Sequence, residues 1–498
     1  MTTENNLAPP RRFHRIRQLI RHRRGKLTAY IVLIAHLFGF LSSLNALMTT
    51  RTSQGAVAWI VALNSFPLAA VPVYWVFGRN KFQGYVNVRR ELVESEEVVV
   101  REARERVEPF YSDFSDRARS DGADAAQRLA DLPFLRGNEV ELLIDGEATF
   151  DSILAGINSA ERYVMVQFYI VRDDGLGRRL KEAMIERARA GVDVYFLYDE
   201  IGSHQLPGSY SADLREAGVR VSRFQSTRGI GNKFQLNFRN HRKIVVVDGR
   251  SAWVGGHNVG DEYLGLDPKF GDWRDTHLRI AGPSILGLQL SFVEDWHWAT
   301  DELLQIRPNL ELSEASDVSV LILPSGPGDE LETASLMYQL VIQGATDRIW
   351  IASPYFVPDH GVMSSLHLAA KRGVDVRIII PEAPDSRLVY YATYAFLGEL
   401  LHTGVRIFRY APGFLHHKVF LVDDEVSGVG TANFDNRSFR LNFEVTAIVV
   451  DETFASEMEE MFAADFVASR EMTLEDVETK PWWFRVFARA SYLTAPIL

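Results

Sequence analysis

One short pattern occurs twice in this chain, and its recurrence at fixed spacing limits the fold more than any other feature. His241-Arg242-Lys243, four apolar residues and Asp248 reappear as His416-His417-Lys418, four apolar residues and Asp423. In each copy the aspartate lies 7 positions after the histidine and an asparagine 17 positions after it, Asn258 in the first and Asn433 in the second. A glycine stands at matched offset, Gly255 and Gly430. A lone His-x-Lys carries little information. Two copies with matched intervals point to a two-fold site built from both halves of the chain.

The repeat extends beyond the motif. Tyr163–Val171 matches Ile349–Val357, each a strand-like run closing on an aromatic pair. Gly191-Val192-Asp193-Val194 and Gly373-Val374-Asp375-Val376 each follow an amphipathic helical stretch (176–189 and 362–371), so a glycine cap leads into a strand. Gly218-Val219-Arg220 parallels Gly404-Val405-Arg406. Near-constant offsets with small insertions describe a duplicated α/β unit, and adjacent duplicated domains commonly share a site where they meet.

Composition narrows the chemistry. Among 498 residues there is no cysteine, which excludes a disulfide framework, Cys-ligated zinc and thiol catalysis. The net charge is −11, but residues 1–90 carry 13 Lys/Arg against one acidic residue, so that segment is +12 and the remainder −23. A body that acidic lacks the basic face with which polyanion binders meet their partner, so no nucleic-acid partner is expected.

The basic excess has a physical meaning at the N-terminus. Eight Lys/Arg between Arg11 and Lys26 precede an uncharged run from Leu27 to Thr50, and a second uncharged run extends from Thr52 to Gly78. Each is long enough to cross a hydrocarbon core as a helix. Basic residues crowd the outer ends while the connection holds only Arg51, so both ends are expected on the cytoplasmic side. A signal peptide would show one short apolar core. The expected order is a basic N-terminus over 1–26, a transmembrane hairpin over 27–78 (spans at about 27–50 and 56–77), a charged helical linker over 79–132, α/β domains over 133–312 and 313–480, and an aromatic, basic segment over 481–498. That last segment reads equally as an interfacial helix or a packed terminal helix.

Inside the motif, residues 243–247 and 418–422 read as strands that turn at Asp-Gly and Asp-Asp into a second strand. Strand parity puts His241 with Lys243, and His416 with Lys418, on one face. It turns Arg242 and His417 away, and makes Asp248 and Asp423 structural turn residues. Histidine serves as nucleophile or acid/base, lysine as fixed positive charge for a phosphodiester, and asparagine as a further donor. Asp275 and Glu444 are carboxylates suited to hold each imidazole in one tautomer. The set points to phosphoryl transfer through a phosphohistidine, with no metal and no other cofactor. His257, His277, His297 and His360 read as structural.

At these residues the chain resembles the phospholipase D superfamily, whose signature is the paired H-x-K-x₄-D motif, and within it the bacterial cardiolipin synthase branch. Phe238-Arg239-Asn240-His241-Arg242-Lys243, Gly255-Gly256-His257-Asn258, Pro354-Tyr355-Phe356-Val357-Pro358-Asp359 and Asn433-Phe434-Asp435-Asn436-Arg437-Ser438-Phe439 carry the likeness. Thr431 stands where that family more often has serine, which keeps the hydroxyl.

The resemblance implies duplicated α-β-α sandwich domains sharing one active site, in a multi-pass protein of the bacterial inner membrane with its catalytic domains cytoplasmic. It implies catalytic roles for His241, Lys243, Asn258, Asp275, His416, Lys418, Asn433 and Glu444, with His241 as nucleophile and His416 as acid/base. The implied reaction joins two phosphatidylglycerols into cardiolipin and glycerol, with phosphatidylglycerol and anionic membrane lipid as partners and the oligomeric state left open. Phospholipase D and phosphatidylserine synthase share such a site with water or serine as acceptor. A nuclease is disfavoured by the acidic body and the anchor, and a non-catalytic scaffold by the intact His/Lys/Asn sets.

Overall fold

The computed structural model describes residues 11–79, 81, 82, 84–86, 106–114, 120–228, 232, 235–305, 312 and 316–498, with 11–21 and 120 as backbone only. It divides into two units, residues 1–80 with 233–237, and residues 81–232 with 238–498.

In the first unit, α1 (Arg11–Thr49) is followed by α2 (Ser53–Ser65) and α3 (Pro67–Phe77). Thr52 caps α2, its hydroxyl accepting the Gly55 N–H at 3.1 Å. The second expected span is therefore two helices and not one. Pro67 has no N–H to continue α2 and holds Phe66 outside the helical region at φ −134° and ψ 55°. Polar groups face inward: Asn64 donates to the Ser43 hydroxyl (2.8 Å), Trp75 to Ser42 (3.1 Å) and Tyr74 to Asn45 (2.7 Å). At Gly39 a Cβ would lie 2.3 Å from the Leu63 carbonyl oxygen, so glycine allows the close helix approach. Leu33, Leu37, Phe38, Val57 and Val61 are exposed. Among the described residues, one helix, over 22–49, is long and apolar enough to cross a membrane by length and composition.

The second unit holds the repeat. Its first half runs α4 (Ser120–Ala130), β1 (Leu135–Ile144), α5 (Asp145–Asn158), β2 (Tyr163–Phe168), α6 (Gly175–Arg189), β3 (Asp193–Asp199), α7 (Gly208–Glu216), β4 (Arg220–Phe224), β5 (Arg239–Asn240), β6 (Ile244–Val247), β7 (Ser251–Gly255), β8 (Asp272–Arg274), β9 (Thr276–Ala281) and α8 (Ile285–Thr300). The second half repeats the theme. It runs β10 (Val318–Ser325), α9 (Thr333–Gly344), β11 (Arg348–Ala352), β12 (Phe356–Val357), α10 (His360–Lys371), β13 (Asp375–Pro381), α11 (Arg387–Thr403), β14 (Arg406–Tyr410), β15 (Gly413–Leu415), β16 (Val419–Val422), β17 (Val426–Gly430), β18 (Phe434–Asp435), α12 (Asn436–Arg440), β19 (Asn442–Val450), α13 (Glu452–Val467), β20 (Ser469–Glu471), α14 (Glu475–Glu478) and α15 (Trp482–Tyr492).

Strand order states the duplication in space. The sequence β1-β9-β7-β6-β2-β3-β4 is matched by β10-β19-β17-β16-β11-β13-β14, and antiparallel pairing of β1 with β10 joins both into one mixed sheet. Gly191 and Gly373 take φ of 90° and 92°, the left-handed caps expected from the sequence. Alternation along β2 sends Val164 and Val166 to α5, α6 and α7, and Met165 to the opposite core with α8. Ile349 and Ile351 of β11 likewise meet α9 and α10, while Trp350 joins α13 in the same central core as α8. Helices therefore cover both faces of each half. The runs expected as single strands to Val171 and Val357 are shorter: β2 ends at Phe168, and β11 ends at Ala352, two residues before Pro354.

Two short parallel pairings cross between the halves. β15 pairs with β8, Leu415 opposite Arg274, and β5 pairs with the start of β19, Asn240 opposite Phe443. The segment expected as a charged helical linker sends some of its residues into the body: Phe82 stacks on Phe238 (5.2 Å), and the Tyr85 hydroxyl donates to Asp295 (2.9 Å), while Lys81, Arg106 and Tyr111 are exposed. Its charged stretch over 87–105 lies outside the described residues.

The motif aspartates close the β6–β7 and β16–β17 turns in the left-handed region, at φ 55° for Asp248 and 50° for Asp423. Each carboxylate collects three consecutive backbone N–H groups at the mouth of the neighbouring strand. Asp248 accepts from residues 161, 162 and 163, all at 2.8 Å, and Asp423 from 346, 347 and 348 at 3.0, 2.8 and 2.8 Å. Burial raises the Asp423 carboxyl, but these donors outweigh it and hold the group below its ordinary range. Its contribution to stability is thus present above the ordinary carboxylate range and lost as pH falls through the lowered folded value. Asp248→Ala or Asp423→Ala leaves three donors unmet and is expected to cost about 2–4 kcal/mol in thermal or denaturant unfolding.

Candidate active site

The crossed strand pairs fix the geometry of the site. Because Asn240 lies opposite Phe443, the next residues in each strand, His241 and Glu444, meet. The His241 N–H donates to the Phe443 carbonyl (2.9 Å). Because Leu415 lies opposite Arg274, His416 meets Asp275, with the His416 N–H donating to the Arg274 carbonyl (2.7 Å). His241 Nδ1 sits 2.9 Å from Glu444 Oε2, and His416 Nδ1 sits 2.6 Å from Asp275 Oδ2. Each imidazole is therefore oriented by a carboxylate from the other half. Nδ1 is the engaged nitrogen in both, so Nε2 is left to meet a substrate.

The lysines follow the same symmetry. Lys243 Nζ donates back to the His241 carbonyl (2.6 Å), and Lys418 Nζ to the His416 carbonyl (2.5 Å), so each lysine lies on its histidine's side of the strand. Arg242 and His417 turn the other way and brace the partner strand. Arg242 Nε donates to the Glu444 carbonyl (3.0 Å) and its Nη1 meets Asp295 (3.0 Å). His417 Nδ1 contacts the Thr276 hydroxyl, and its Nε2 lies 3.3 Å from Asp465.

The glycines of the repeat have a common cause. At Gly255 a Cβ would come within 2.4 Å of the Thr276 carbonyl oxygen, and at Gly430 within 2.5 Å of that of Val445. Both belong to the strand segments that present the orienting carboxylates. The next positions differ. A Cβ at Gly256 would strike Asp275 at 1.9 Å, whereas Thr431 fits and its hydroxyl donates to Glu444 at 2.6 Å.

The asparagines are less alike than their spacing suggests. Asn258 accepts the Ile170 N–H (3.1 Å) and donates to the Tyr263 hydroxyl (3.0 Å). Asn433 is buried, its backbone N–H donating to the Ser438 hydroxyl (3.1 Å) while its side-chain oxygen has no hydrogen-bond partner. Neither touches a histidine in a hydrogen bond shown by the structure. His257 and His277 are buried, Nδ1 to Nδ1 at 3.2 Å, on the Asp275 side. His297 lies in α8, and His360 begins α10.

Sequence reasoning missed the rings around the imidazoles. Tyr169 lies edge-on to His241 (4.9 Å between centroids), and Trp273 and Phe414 flank His416 at 5.0 and 6.0 Å. The available signals were the matched aromatic pair at Tyr169/Tyr355 and the tryptophan two positions before Asp275.

Electrostatics reflect an enclosed site. Burial pushes the His241 imidazole down to about 4; Glu444 opposes this, and Lys243 and Lys418 reinforce it. Burial, then Lys418, brings His416 to about 3 against the pull of Asp275. Lys243 falls to about 7 and Lys418 to about 8, again chiefly through burial. Burial raises Asp275 and Glu444, but the neighbouring histidines and lysines outweigh it, His257 and Lys418 foremost at Asp275 and His241 at Glu444, and keep both carboxyls below their usual range. Each imidazole feels the lysine of the other half, which draws the two motifs into one electrostatic cluster. Among the described residues no group of three or more His, Asp and Glu is placed to hold a metal ion.

Known proteins resemble this chain in sequence along most of its length. The family model described as "Cardiolipin synthase, PLD-like domain" matches residues 153–267 and 339–466, one segment in each half. Cardiolipin synthase A of Pseudomonas entomophila (strain L48) is 47% identical over 475 residues, covering 94% of this chain and 98% of that protein. Cardiolipin synthase A of Pseudomonas putida (strain W619) is 48% identical over 476 residues with the same coverage. Phosphatidylserine synthase of Haemophilus influenzae has the same fold, with a TM-score of 0.58 at 17% identity over 76% of this chain and 100% of that one. A duplicated unit with one motif in each half, and near half-identity along almost the whole chain, place this protein in the cardiolipin synthase family of phospholipase D-like proteins.

Proposed function

We propose that this protein joins two phosphatidylglycerols into cardiolipin and glycerol through a phosphohistidine, with His241 as nucleophile and His416 as acid/base. The observation that carries the reading is the pair of crossed His–carboxylate contacts, each in a motif whose buried lysine donates to the carbonyl of its histidine. His241 Nε2 attacks phosphorus while the bond to the departing glycerol oxygen breaks, and His416 gives that oxygen its proton. His416 then takes a proton from a hydroxyl of the second phosphatidylglycerol. That oxygen attacks phosphorus, and the P–N bond breaks.

Lys243 and Lys418 supply charge for the phosphate oxygens, with Asn258 and Asn433 as further donors. Glu444 and Asp275 hold the imidazoles and stabilise whichever becomes imidazolium. Residues 133–312 and 313–480 are the two catalytic domains in this reading, and phosphatidylglycerol in an anionic membrane is the partner.

The same reading puts the protein in the inner membrane as a hairpin, α1 one span and the bent α2–α3 pair the other, with the catalytic domains cytoplasmic. The inside-out polarity of the first unit supports this. Its hydroxyl and amide groups pair internally, while large apolar side chains face outward.

Purified full-length protein in phosphatidylglycerol micelles is expected to release glycerol and form cardiolipin with a chelator present. Phosphatidic acid as sole product would reassign the activity to phospholipase D, and arrest by the chelator would overturn the metal-free route. His241→Ala and His416→Ala are each expected to remove nearly all turnover, with the double variant little worse, because groups acting as one unit are non-additive. An adduct trapped on His416 would exchange the two roles, and substantial turnover in either single variant would exclude a shared site.

The lowered lysines give a pH signature. In the empty site Lys243 loses its charge near 7 and Lys418 near 8, so the KM for the anionic lipid is expected to rise as pH climbs through that window. Lys243→Met should raise KM at neutral pH and flatten the first part of the rise.

A further inference from the structure

We propose that α15 is an interfacial element that lies against an anionic lipid surface with the face turned away from the body. The helix has two apolar sides, and one of them is already occupied. Phe484, Ala488 and Ser491, spaced along one face, are buried. The Phe484 ring packs on Tyr391 (5.1 Å) and Tyr394 (4.9 Å) of α11. The remaining side carries Trp482 at 73% exposure, Trp483 at 45%, Val486 at 57% and Phe487 at 56%, with Leu493 at 79% just beyond the helix. So many large apolar groups on an 11-residue helix exceed what scattered surface hydrophobics account for.

Charge chooses the occupant. Lys480 precedes the helix, Arg485 and Arg489 lie four residues apart along it, and residues 481–498 contain no acidic side chain. The rest of the chain after residue 90 is strongly acidic. Exposed indole and phenyl rings bordered by guanidinium groups match the layered chemistry of a lipid headgroup region, with rings at the apolar boundary and cations at the phosphates.

The placement of the helix connects this surface to the site. Beyond α15 the chain returns to α12, where the Arg437 N–H donates to the Leu498 carbonyl (2.7 Å) and Arg437 Nη1 to the Ile497 carbonyl (2.9 Å). Asn433 stands three residues before α12. On the other side, Ser386, Val389 and Tyr390, at the start of α11, line a cleft with Tyr355 and Asp385. Asp385 is close enough to Lys418 to raise its pKa. A lipid surface under α15 therefore lies beside elements that flank the cluster. The choice of a phosphatidyl surface rests on the phosphatidyl-transfer reading, but the test reads insertion and not turnover.

Because the chain has no cysteine, Phe487→Cys and Val486→Cys each accept a single environment-sensitive fluorophore in the full-length protein. In vesicles containing phosphatidylglycerol, emission is expected to shift to the blue and to be lost to a lipid-borne quencher. The loss should be smaller in phosphatidylcholine alone and in Arg485→Glu/Arg489→Glu. Turnover in detergent micelles reports separately that the labelled chains are folded. A label that stays open to aqueous iodide in vesicles would overturn the proposal. So would equal insertion in both lipids, or shielding in detergent that disappears on dilution, which would mark contact between copies of this chain.

Discussion

Everything at the cluster depends on two parallel strand contacts only two or three residues long. β5 on β19 and β15 on β8 carry few hydrogen bonds, yet their register decides that His241 meets Glu444 and His416 meets Asp275. A shift of one residue in either would point the imidazole away from its carboxylate, because strand side chains alternate. The register is braced from outside the motif. The Asn240 N–H donates to Asp199 (2.8 Å) and its side-chain oxygen accepts from Gln167 (2.8 Å), while Arg274 is held by Asp465 (2.8 Å) and Asp145 (3.1 Å). Neither half alone contains a complete His–carboxylate pair. The continuous sheet through β1 and β10 keeps the two halves in the relation that completes both.

The charge balance of the cluster follows from its burial. Two lysines and two carboxylates offset one another, and both imidazoles are neutral when the cluster is empty, as their lowered values require. An arriving phosphodiester adds one negative charge to a poorly solvated place. It steadies both ammonium groups and favours a proton on one imidazole, which is the state general acid catalysis needs. The lysines thus restrain the imidazoles only until the anion arrives.

Much of this was legible in the sequence because the repeat supplies its own control. A residue recurring at the same offset in both halves, such as Gly191/Gly373 or Asp248/Asp423, marks a constraint that acts twice, and both pairs have matching backbone conformations. Strand parity placed His241 with Lys243 and turned Arg242 aside. What parity did not reach is contact between halves. Nothing in the spacing says that Glu444 serves His241 and Asp275 serves His416, since that depends on β5 and β15, strands too short to have a period. The break at Phe66 was readable from Pro67, and the buried Phe82 and Tyr85 were hidden by the charged run that follows them.

The symmetry is incomplete where the proposed roles require a difference. His416 lies closer to its carboxylate than His241 does, 2.6 against 2.9 Å, and a closer anion favours imidazolium. Glu444 also receives the Thr431 hydroxyl, whereas Gly256 offers Asp275 no side chain. Lys418 works in the opposite sense, since it helps bring His416 lower than His241 in the empty cluster, about 3 against about 4. The two effects respond differently to substrate. A bound phosphodiester offsets the lysine charge, while the Asp275 contact is fixed by β8 and β15. In the proposed mechanism the shorter carboxylate contact would then favour the proton on His416 and leave the Nε2 lone pair of His241 for phosphorus.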